Sequence, residues 1–411
     1  MLITTEEQLL EEVKKTGKVL IYGNGNIART MIRYFQKKEI AIEGIVAKKG
    51  TGKSMFGFEV KKLKDYTSIA EECTVVICEK NENHEEYIDP AQKKGYKNII
   101  EIDYEFYVTL SVAENVHMDF LCAGFSKSGT TSLQTAFKNH PAICLPKNKE
   151  SYYLHWRQKF DNAPEKFKTR YFGEIPEGKI VGNIEPSYHK KAQGAYECFG
   201  KDLKIVLMMR NPIDATYSNF KMLMKNPKEK KQAMYFKKHN KFHVDMFDDY
   251  MEDYIFSGKD QRYQYNICVQ QYIDTFGKDN VMLVFFEEII REPGRILNEI
   301  QEFIGVPADK MVEYDKLPKS NAGKFVSKNF ISALINHKLY AKKLAMKAAS
   351  VKQMDRYWKV TNFLHKHTYV ENAEKMSQES REVLRDFYAD SVKQIAEISG
   401  RDLSEVWPDF K

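Results

Sequence analysis

A short run of small and hydroxyl-bearing residues after Ser126 has the residue types that bind phosphate-like anions. The run is Lys127-Ser128-Gly129-Thr130-Thr131-Ser132. The apolar stretch before it, ending at Ala123, predicts a buried strand, and Thr130 to Lys138 predicts the start of a helix. A helix N-terminus presents backbone N–H groups and the positive end of the helix dipole. Together with the lysine charge and the hydroxyl donors, this arrangement predicts an anion site.

The position of the lysine separates this loop from a Walker-type P-loop. A Walker loop places its lysine after the second glycine and follows it with a hydroxyl that binds magnesium. Here Lys127 precedes Gly129. A P-loop kinase or NTPase is therefore the alternative enzyme class that this residue order disfavours. A polar strand-to-helix turn without a ligand is the other alternative.

A second candidate anion site follows another apolar run. Ile205 to Met209 predicts a buried strand, and Arg210-Asn211-Pro212-Ile213-Asp214 comes directly after it, with Ser218 four residues further on. Proline and aspartate suit the first turn of a new helix. An arginine at a strand end offers its planar fork to a phosphate, and Ser218 lies two turns into the predicted helix.

Both motifs, in this order, resemble those of sulfotransferases that use 3′-phosphoadenosine 5′-phosphosulfate (PAPS). The resemblance covers roughly residues 117–411 and is greatest to carbohydrate-type, heparan-sulfate-type members of the superfamily. It implies that residues 127–132 bind the 5′-phosphosulfate and that Arg210 and Ser218 contact the 3′-phosphate. It also implies a catalytic role for Lys127, which would neutralise the leaving oxygen. No metal is expected, because PAPS has no chain of phosphates to bridge and the sequence has no metal-ligand cluster.

Weaker markers follow the same family order. Lys149-Glu150-Ser-Tyr152-Tyr153 resembles a segment whose glutamate is the catalytic base, so Glu150 is the predicted base; a surface glutamate in a lysine-rich loop is the alternative. Residues 181–188, Val-Gly-Asn-Ile-Glu-Pro-Ser-Tyr, resemble the Ser-Pro-x-Tyr segment that lines the acceptor cleft in the family. Related enzymes often have Glu-Lys before the Ser-Pro-x-Tyr residues, where this chain has Asn183-Ile184-Glu185. Roles for Glu185 and His189 are therefore left unassigned.

A late basic turn and a closing helix complete the resemblance. Lys319 and Lys324 are candidates for further 3′-phosphate contacts, and a solvated basic turn is the alternative reading of both. Residues 281–288 resemble the strand that ends in Phe-Glu-Glu in the family. Residues 384–407 resemble its closing helix.

The first 115 residues predict a separate α/β domain. Strands are predicted at 18–22, 40–46, 74–78 and 98–102, alternating with helices, which is typical of a parallel Rossmann-like sheet. The turn Gly23-Asn-Gly25-Asn-Ile-Ala28 suits nucleotide binding or close helix–strand packing, and both alternatives stay open. The predicted fold is α/β: a Rossmann-like domain at 1–115, a short joint at 106–117, and a P-loop-like parallel-sheet sulfotransferase domain at 116–411.

Composition narrows the cellular setting. The chain has 411 residues, 43% hydrophobic, and six scattered cysteines that suit buried thiols in a reducing compartment. Neither a signal peptide nor an apolar membrane span is predicted. We therefore expect a bacterial cytoplasmic enzyme.

Positive charge is concentrated late in the chain. Between Ser320 and Thr368 there are ten Lys and Arg residues and one acidic residue, Asp355. Such a segment is suited to binding an anionic or lipid-linked glycan or to peripheral contact with a membrane. A solvated helix face with no ligand is the alternative. No nucleic-acid motif accompanies the charge, so nucleic acid is not an expected partner.

Together these observations predict a PAPS-dependent sulfotransferase that modifies a hydroxyl or amine, with a glycan as the expected acceptor. The alternatives are the P-loop kinase or NTPase and a catalytically silent nucleotide-binding scaffold. The sequence does not identify the acceptor, its sulfated position, a ligand of the N-terminal domain, or the oligomeric state.

Overall fold

The computed structural model of the chain divides into two compact units. The described residues are 1–66, 72–225, 246–316, 325–327, 331–332, 334–335, 338–339, 356–357, 359–361, 363–364, 367, 369–371 and 376–411. The N-terminal unit comprises Met1–Leu121, Cys144–Asn183 and Lys191–Leu203. The C-terminal unit comprises Cys122–Ile143, Ile184–Lys190 and Lys204–Lys411.

The strands and helices alternate along most of the chain. The strands are β1 Leu2–Ile3, β2 Lys18–Tyr22, β3 Ala41–Val46, β4 Ser54–Met55, β5 Phe58–Lys61, β6 Thr74–Ile77, β7 Ile99–Ile102, β8 Phe120–Gly124, β9 Ile143–Cys144, β10 Ile180–Ile184, β11 Lys204–Met209, β12 Val281–Phe285, β13 Phe325–Ser327 and β14 Tyr369–Glu371. The helices are α1 Glu6–Lys14, α2 Asn26–Lys37, α3 Glu85–Lys93, α4 Tyr104–Glu114, α5 Thr130–Phe137, α6 Tyr153–Trp156, α7 Ala163–Phe167, α8 Ala192–Phe199, α9 Pro212–Lys225, α10 Met246–Tyr250, α11 Tyr265–Phe276, α12 Phe286–Arg291, α13 Pro293–Phe303 and α14 Gln378–Ser399. Short 3-10 or π turns lie at Leu63–Asp65, Asn81–Asn83, Arg157–Lys159, Lys168–Phe172, Pro186–Tyr188, Met251–Phe256, Lys278–Asn280, Ala308–Lys310 and Pro408–Phe410.

The N-terminal unit is built on a seven-stranded sheet with the order β1-β7-β6-β2-β3-β5-β4. Its strands pair in parallel except for the antiparallel hairpin of β4 and β5. Alternate residues of β2 enter two separate cores, with Val19 and Ile21 on one face and Leu20 and Tyr22 on the other. Both faces are therefore buried, as expected for a parallel sheet. The predicted Rossmann-like sheet is confirmed.

The glycine turn after β2 has a packing reason for its first glycine. Gly23 has a φ of +138°, and a Cβ there would lie 2.7 Å from the carbonyl oxygen of Cys78. Only glycine lets the turn approach the end of β6 so closely. This contact supports the packing interpretation of the motif at that position.

The second sheet has five strands in the order β12-β11-β8-β10-β9. β11 and β12 pair in parallel, from Ile205 opposite Val281 to Met209 opposite Phe285. Every residue of β8 is buried, as are five of the six residues of β11, which explains why both read as apolar runs. The loops that carry the two predicted anion motifs begin where β8 and β11 end.

Two details of the sequence prediction differ from the structure. Residues 106–117, expected to form a short joint, are largely the helix α4, which begins with Asp103 capping the N–H groups of Glu105 and Phe106. The strand expected to reach the glutamates at 287–288 ends at Phe285, and those glutamates lie in α12. Among the helices in the described part of the chain, none has the length and apolar character needed to cross a membrane.

Candidate active site

The loop after β8 has the geometry of an anion-binding turn. It begins with Phe125, whose N–H donates to the carbonyl of Met208 on β11 at 2.7 Å. Lys127 has a φ of +70° and Gly129 a φ of +86°. These left-handed residues turn the chain sharply into α5, so that the first backbone N–H groups of the helix lie at the loop. The predicted strand, loop and helix are confirmed.

Ser128 is an unsatisfied polar group within this loop. Its side chain is fully buried, and its hydroxyl makes no hydrogen bond of ordinary geometry in the structure. A buried hydroxyl without a partner costs on the order of 1–3 kcal/mol, so such groups usually have a ligand or water. The phosphosulfate of PAPS, with its many acceptor oxygens, fits the donors present here: Lys127, Ser128 and the start of α5.

Phe286 brings the two predicted motifs together within the C-terminal unit. A Cβ on Gly129 would lie 2.6 Å from a carbon of the Phe286 ring, so the loop packs directly against that ring. The guanidinium of Arg210 lies over the same ring, 5.2 Å from its centroid. The ring therefore supports the loop and orients the arginine by a cation–π contact. Sequence reasoning missed Phe286, although its place at the end of a parallel strand is a signal for a site.

Gly129→Ala is expected to destabilise the protein more than an alanine replacement at a glycine that has the same φ but no neighbouring atoms. Alanine would be strained at φ +86° and would also clash with Phe286. Gly305 has the same φ of +86° and nothing within 4 Å of its Cβ position, so Gly305→Ala is the matched control. We expect Gly129→Ala to cost about 1–3 kcal/mol more than the control in urea unfolding. Equal losses would mean that Phe286 moves away without cost.

Asn211, next to Arg210, is fixed from both sides. Its backbone N–H donates to Glu287 at 2.9 Å, and its side-chain amide donates to Asp409 at 2.6 Å. The indole of Trp407 donates to the other oxygen of Glu287 at 2.9 Å. Burial raises the pKa of Glu287, and these donors oppose that rise. The end of β11, and with it Arg210, is thus held by α12 and the C-terminal turn.

The segment at 184–190 also reaches the loop after β8 within the C-terminal unit. The ring of His189 lies 5.8 Å from that of Phe125, and the Tyr272 hydroxyl donates to the carbonyl of Tyr188 at 2.7 Å. Burial lowers the pKa of His189 to about 4, so this imidazole is neutral at neutral pH. The fully buried Glu185 accepts a hydrogen bond from Ser187 at 2.8 Å. These contacts give the segment a structural role beside the loop.

Glu150 lies in the N-terminal unit, in a segment held by several hydrogen bonds. Its carboxylate accepts a hydrogen bond from the Tyr152 hydroxyl. Ser151 is buried: its carbonyl accepts from the Trp156 indole at 2.8 Å, and its hydroxyl accepts from the Asn183 amide at 3.2 Å. Asn183 therefore anchors the residue next to Glu150.

The residues that follow Glu150, from Tyr153 to Asp161, are fixed to other parts of the N-terminal unit. Arg29 pairs with Asp161, and Arg33 donates to the carbonyl of Asp161 at 2.9 Å. The N–H of Phe56 donates to the carboxylate of Asp161 at 2.8 Å, and the Tyr153 hydroxyl donates to Asn115 after α4. The first 115 residues thus support the segment that carries Glu150.

Backbone strain coincides with the residues predicted to act. In the described ranges, five non-glycine residues have a positive φ. Three of them belong to the candidate segments: Lys127, Glu150 at +63° and Tyr152 at +52°. Left-handed backbone in such residues is unfavourable and recurs at functional sites.

The remaining predicted residues differ in what the structure says of them. Thr130, Thr131 and Ser132 form the first turn of α5, and Ser218 lies on α9 one turn beyond Asp214. Lys319 and Lys324 lie outside the described residues, as does most of 320–368. Within the described part, no group of three or more His, Cys, Asp or Glu side chains is arranged to hold a metal ion.

The fold is α/β, and it places the two predicted anion motifs at the ends of two neighbouring strands, β8 and β11. The sulfotransferase domain family model matches residues 117–396. The chain therefore belongs to the sulfotransferase domain family.

Individual relatives are distant. The chain is similar to the membrane-associated sulfotransferase kil1 of Dictyostelium discoideum, with 26% identity over 106 residues that cover 25% of this chain and 22% of that protein. The chain thus matches about a fifth of the length of that relative. A solved sulfotransferase from Alicyclobacillus acidocaldarius has 19% identity and a TM-score of 0.45, covering 71% of this chain and 99% of that one. Mouse sulfotransferase SULT7A1 complexed with PAP has 19% identity and a TM-score of 0.31, covering 50% and 64%.

Proposed function

We propose that this protein is a PAPS-dependent sulfotransferase that transfers a sulfuryl group to a hydroxyl or amine of an acceptor. One observation carries the proposal most strongly: the loop at 127–132 and Arg210 both contact the ring of Phe286 in one compact unit. Two anion sites at neighbouring strand ends suit a ligand with two separate phosphate groups. The fully buried hydroxyl of Ser128 adds a donor to the first site.

The chemistry that PAPS supplies is a sulfuryl group on a good leaving group. Lys127 and the first N–H groups of α5 neutralise the negative charge that develops on the leaving phosphate oxygen. Arg210 and Ser218 hold the 3′-phosphate and so fix the position of the donor. Glu150 takes the proton of the acceptor hydroxyl or amine as the new bond to sulfur forms.

The first test is to measure, by calorimetry, the binding of adenosine 3′,5′-bisphosphate (PAP), ADP and ATP. Each nucleotide is measured with and without magnesium. We expect metal-independent binding that favours PAP. In Arg210→Ala, PAP affinity should fall about 100-fold, a loss of roughly 3 kcal/mol, because a charged, forked donor to phosphate is removed. Arg210→Lys keeps the charge but loses the forked pair of donors, so its PAP affinity should lie between those of the unchanged protein and Arg210→Ala. A preference for ATP with magnesium would favour the kinase alternative instead.

We further propose a glycan as acceptor, supported by the resemblance of residues 149–153 to glycan-modifying members of the family.

We also propose contact with an anionic membrane through residues 320–368, supported by the ten Lys and Arg residues there. Co-sedimentation with anionic vesicles, compared with neutral vesicles, measures this contact. A cytoplasmic location is supported by six free cysteines, five of them buried, and fractionation of cells tests it.

A further inference from the structure

Four charged side chains of alternating sign form a row in the C-terminal unit, and Arg210 is its first member. Arg210 Nη2 lies 4.0 Å from Asp214 Oδ2. Arg381 on α14 donates to Asp214 Oδ1 at 2.9 Å. The other side of the Arg381 guanidinium donates from Nε and Nη2 to the two oxygens of Asp409, at 2.6 Å each. Arg381 therefore binds two carboxylates at once.

Asp214 is the member whose position affects an anion at Arg210. It lies four residues after Arg210, in the first turn of α9, where a carboxylate is able to close onto the guanidinium and compete with a phosphate for it. Its negative charge would also repel a phosphate bound beside it. In the structure Asp214 contacts Arg381 more closely than Arg210, at 2.9 Å against 4.0 Å.

Packing does not fix Asp214 in this position. Its side chain is 37% exposed and borders a cavity of about 270 Å³. The cavity is lined by Asn211, Asp214, Glu287, Arg381, Val406, Pro408 and Asp409. Because there is open space around the carboxylate, its direction is set mainly by the charges that attract it.

Arg381, in contrast, is anchored. Two parallel hydrogen bonds to Asp409 fix the plane of its guanidinium, which is the strong, directional form of this ion pair. Asp409 is held in turn by the amide of Asn211, the neighbour of Arg210. Asp409 and the Arg381 fork thus form a fixed support on which Asp214 is held.

We propose that Arg381 is a positioning residue for the 3′-phosphate site: it holds Asp214 away from Arg210 and cancels its charge, which leaves the Arg210 guanidinium available to the phosphate. This proposal rests on the proposed function. It assigns the closing helix α14 and the C-terminal turn a role in recognising the nucleotide, although neither is expected to touch it.

The test is a double-mutant cycle on the full-length chain, measured by calorimetry with PAP and AMP, which differ by the 3′-phosphate. Arg381→Met should weaken PAP about ten- to thirtyfold and leave AMP within about twofold, because only the 3′-phosphate meets the released carboxylate. Asp214→Asn should tighten PAP several-fold. The double variant should bind PAP within about threefold of the unchanged protein. Arg385→Met, one turn along α14 at an exposed arginine paired with Asp386, is the matched control and should change neither affinity.

Rescue separates positioning from simple structural support, since a second substitution in a damaged network would not restore affinity. A double variant as weak as Arg381→Met would overturn the proposal, and so would an Arg381→Met protein that binds PAP normally. If Arg381→Met fails to fold, Asp214→Asn alone decides: unchanged or weaker PAP binding overturns the proposal. An unchanged protein that does not prefer PAP to AMP would contradict the proposed function itself, which distinguishes the two failures.

Discussion

Replacing Lys127 with alanine is expected to slow sulfuryl transfer by about 100- to 1000-fold, the usual effect of removing a donor that stabilises developing charge. The affinity for PAP should fall less than about tenfold. Arg210 and the first turn of α5 still hold the nucleotide, and Lys127 contributes most where negative charge grows on the leaving oxygen. Steady-state transfer and PAP calorimetry on the same preparation measure both quantities.

The strain at Lys127 sharpens this prediction. A lysine with a φ of +70° is costly, and glycine would adopt the same backbone without that cost. Keeping lysine at such a position is therefore explained by what its side chain does. Lys138→Ala is the matched control, because Lys138 is exposed at the other end of α5. A loss of PAP affinity as large as the loss of rate would instead make Lys127 a binding residue.

The parts of the site that local sequence determines could be predicted. β8 and β11 are apolar along almost their whole length because their residues are buried, and the motifs begin where that apolar pattern stops. The left-handed Gly129 at the start of α5 follows the same local logic. By contrast, β1 and β4 have two residues each, too few to show any periodic pattern.

The contacts that complete the site could not be predicted, because they join residues far apart in the sequence. Arg381 meets Asp214 across 167 residues, and Asn211 meets Asp409 across 198. No spacing rule within one helix or strand reports such pairs. The same reason hid the role of the first 115 residues, since the contact of Arg29 with Asp161 spans 132 residues.

Asn183 has a structural role in the segment that carries Glu150. The family resemblance predicts Glu-Lys before the Ser-Pro-x-Tyr segment, and this chain has Asn183-Ile184-Glu185 in that place, so roles for Glu185 and His189 stayed open. In the structure the Asn183 amide donates to Ser151, beside Glu150. In this hydrogen bond the amide is the donor and the Ser151 hydroxyl is the acceptor, which fixes the side chain beside Glu150.

Glu150→Gln is the second replacement with a large expected effect, a loss of about 100- to 10,000-fold in the rate of transfer. Glutamine keeps the shape of the side chain and an oxygen that accepts from Tyr152, but it does not take up a proton. PAP affinity should not change, because Glu150 acts on the acceptor. The rate is measured as transfer of the labelled sulfuryl group from PAPS to chitosan oligomers. These oligomers offer both hydroxyl and amino groups.

Glu177→Gln is the matched control, since Glu177 is an exposed glutamate in the same part of the N-terminal unit. If both variants keep near-normal rates, Glu150 is a surface residue and another group accepts the proton. A selective loss in Glu150→Gln would explain why its backbone is held at a φ of +63° between hydrogen-bonded neighbours. Such a conformation is unfavourable for a glutamate, and a requirement to aim its carboxylate at the acceptor would account for its presence.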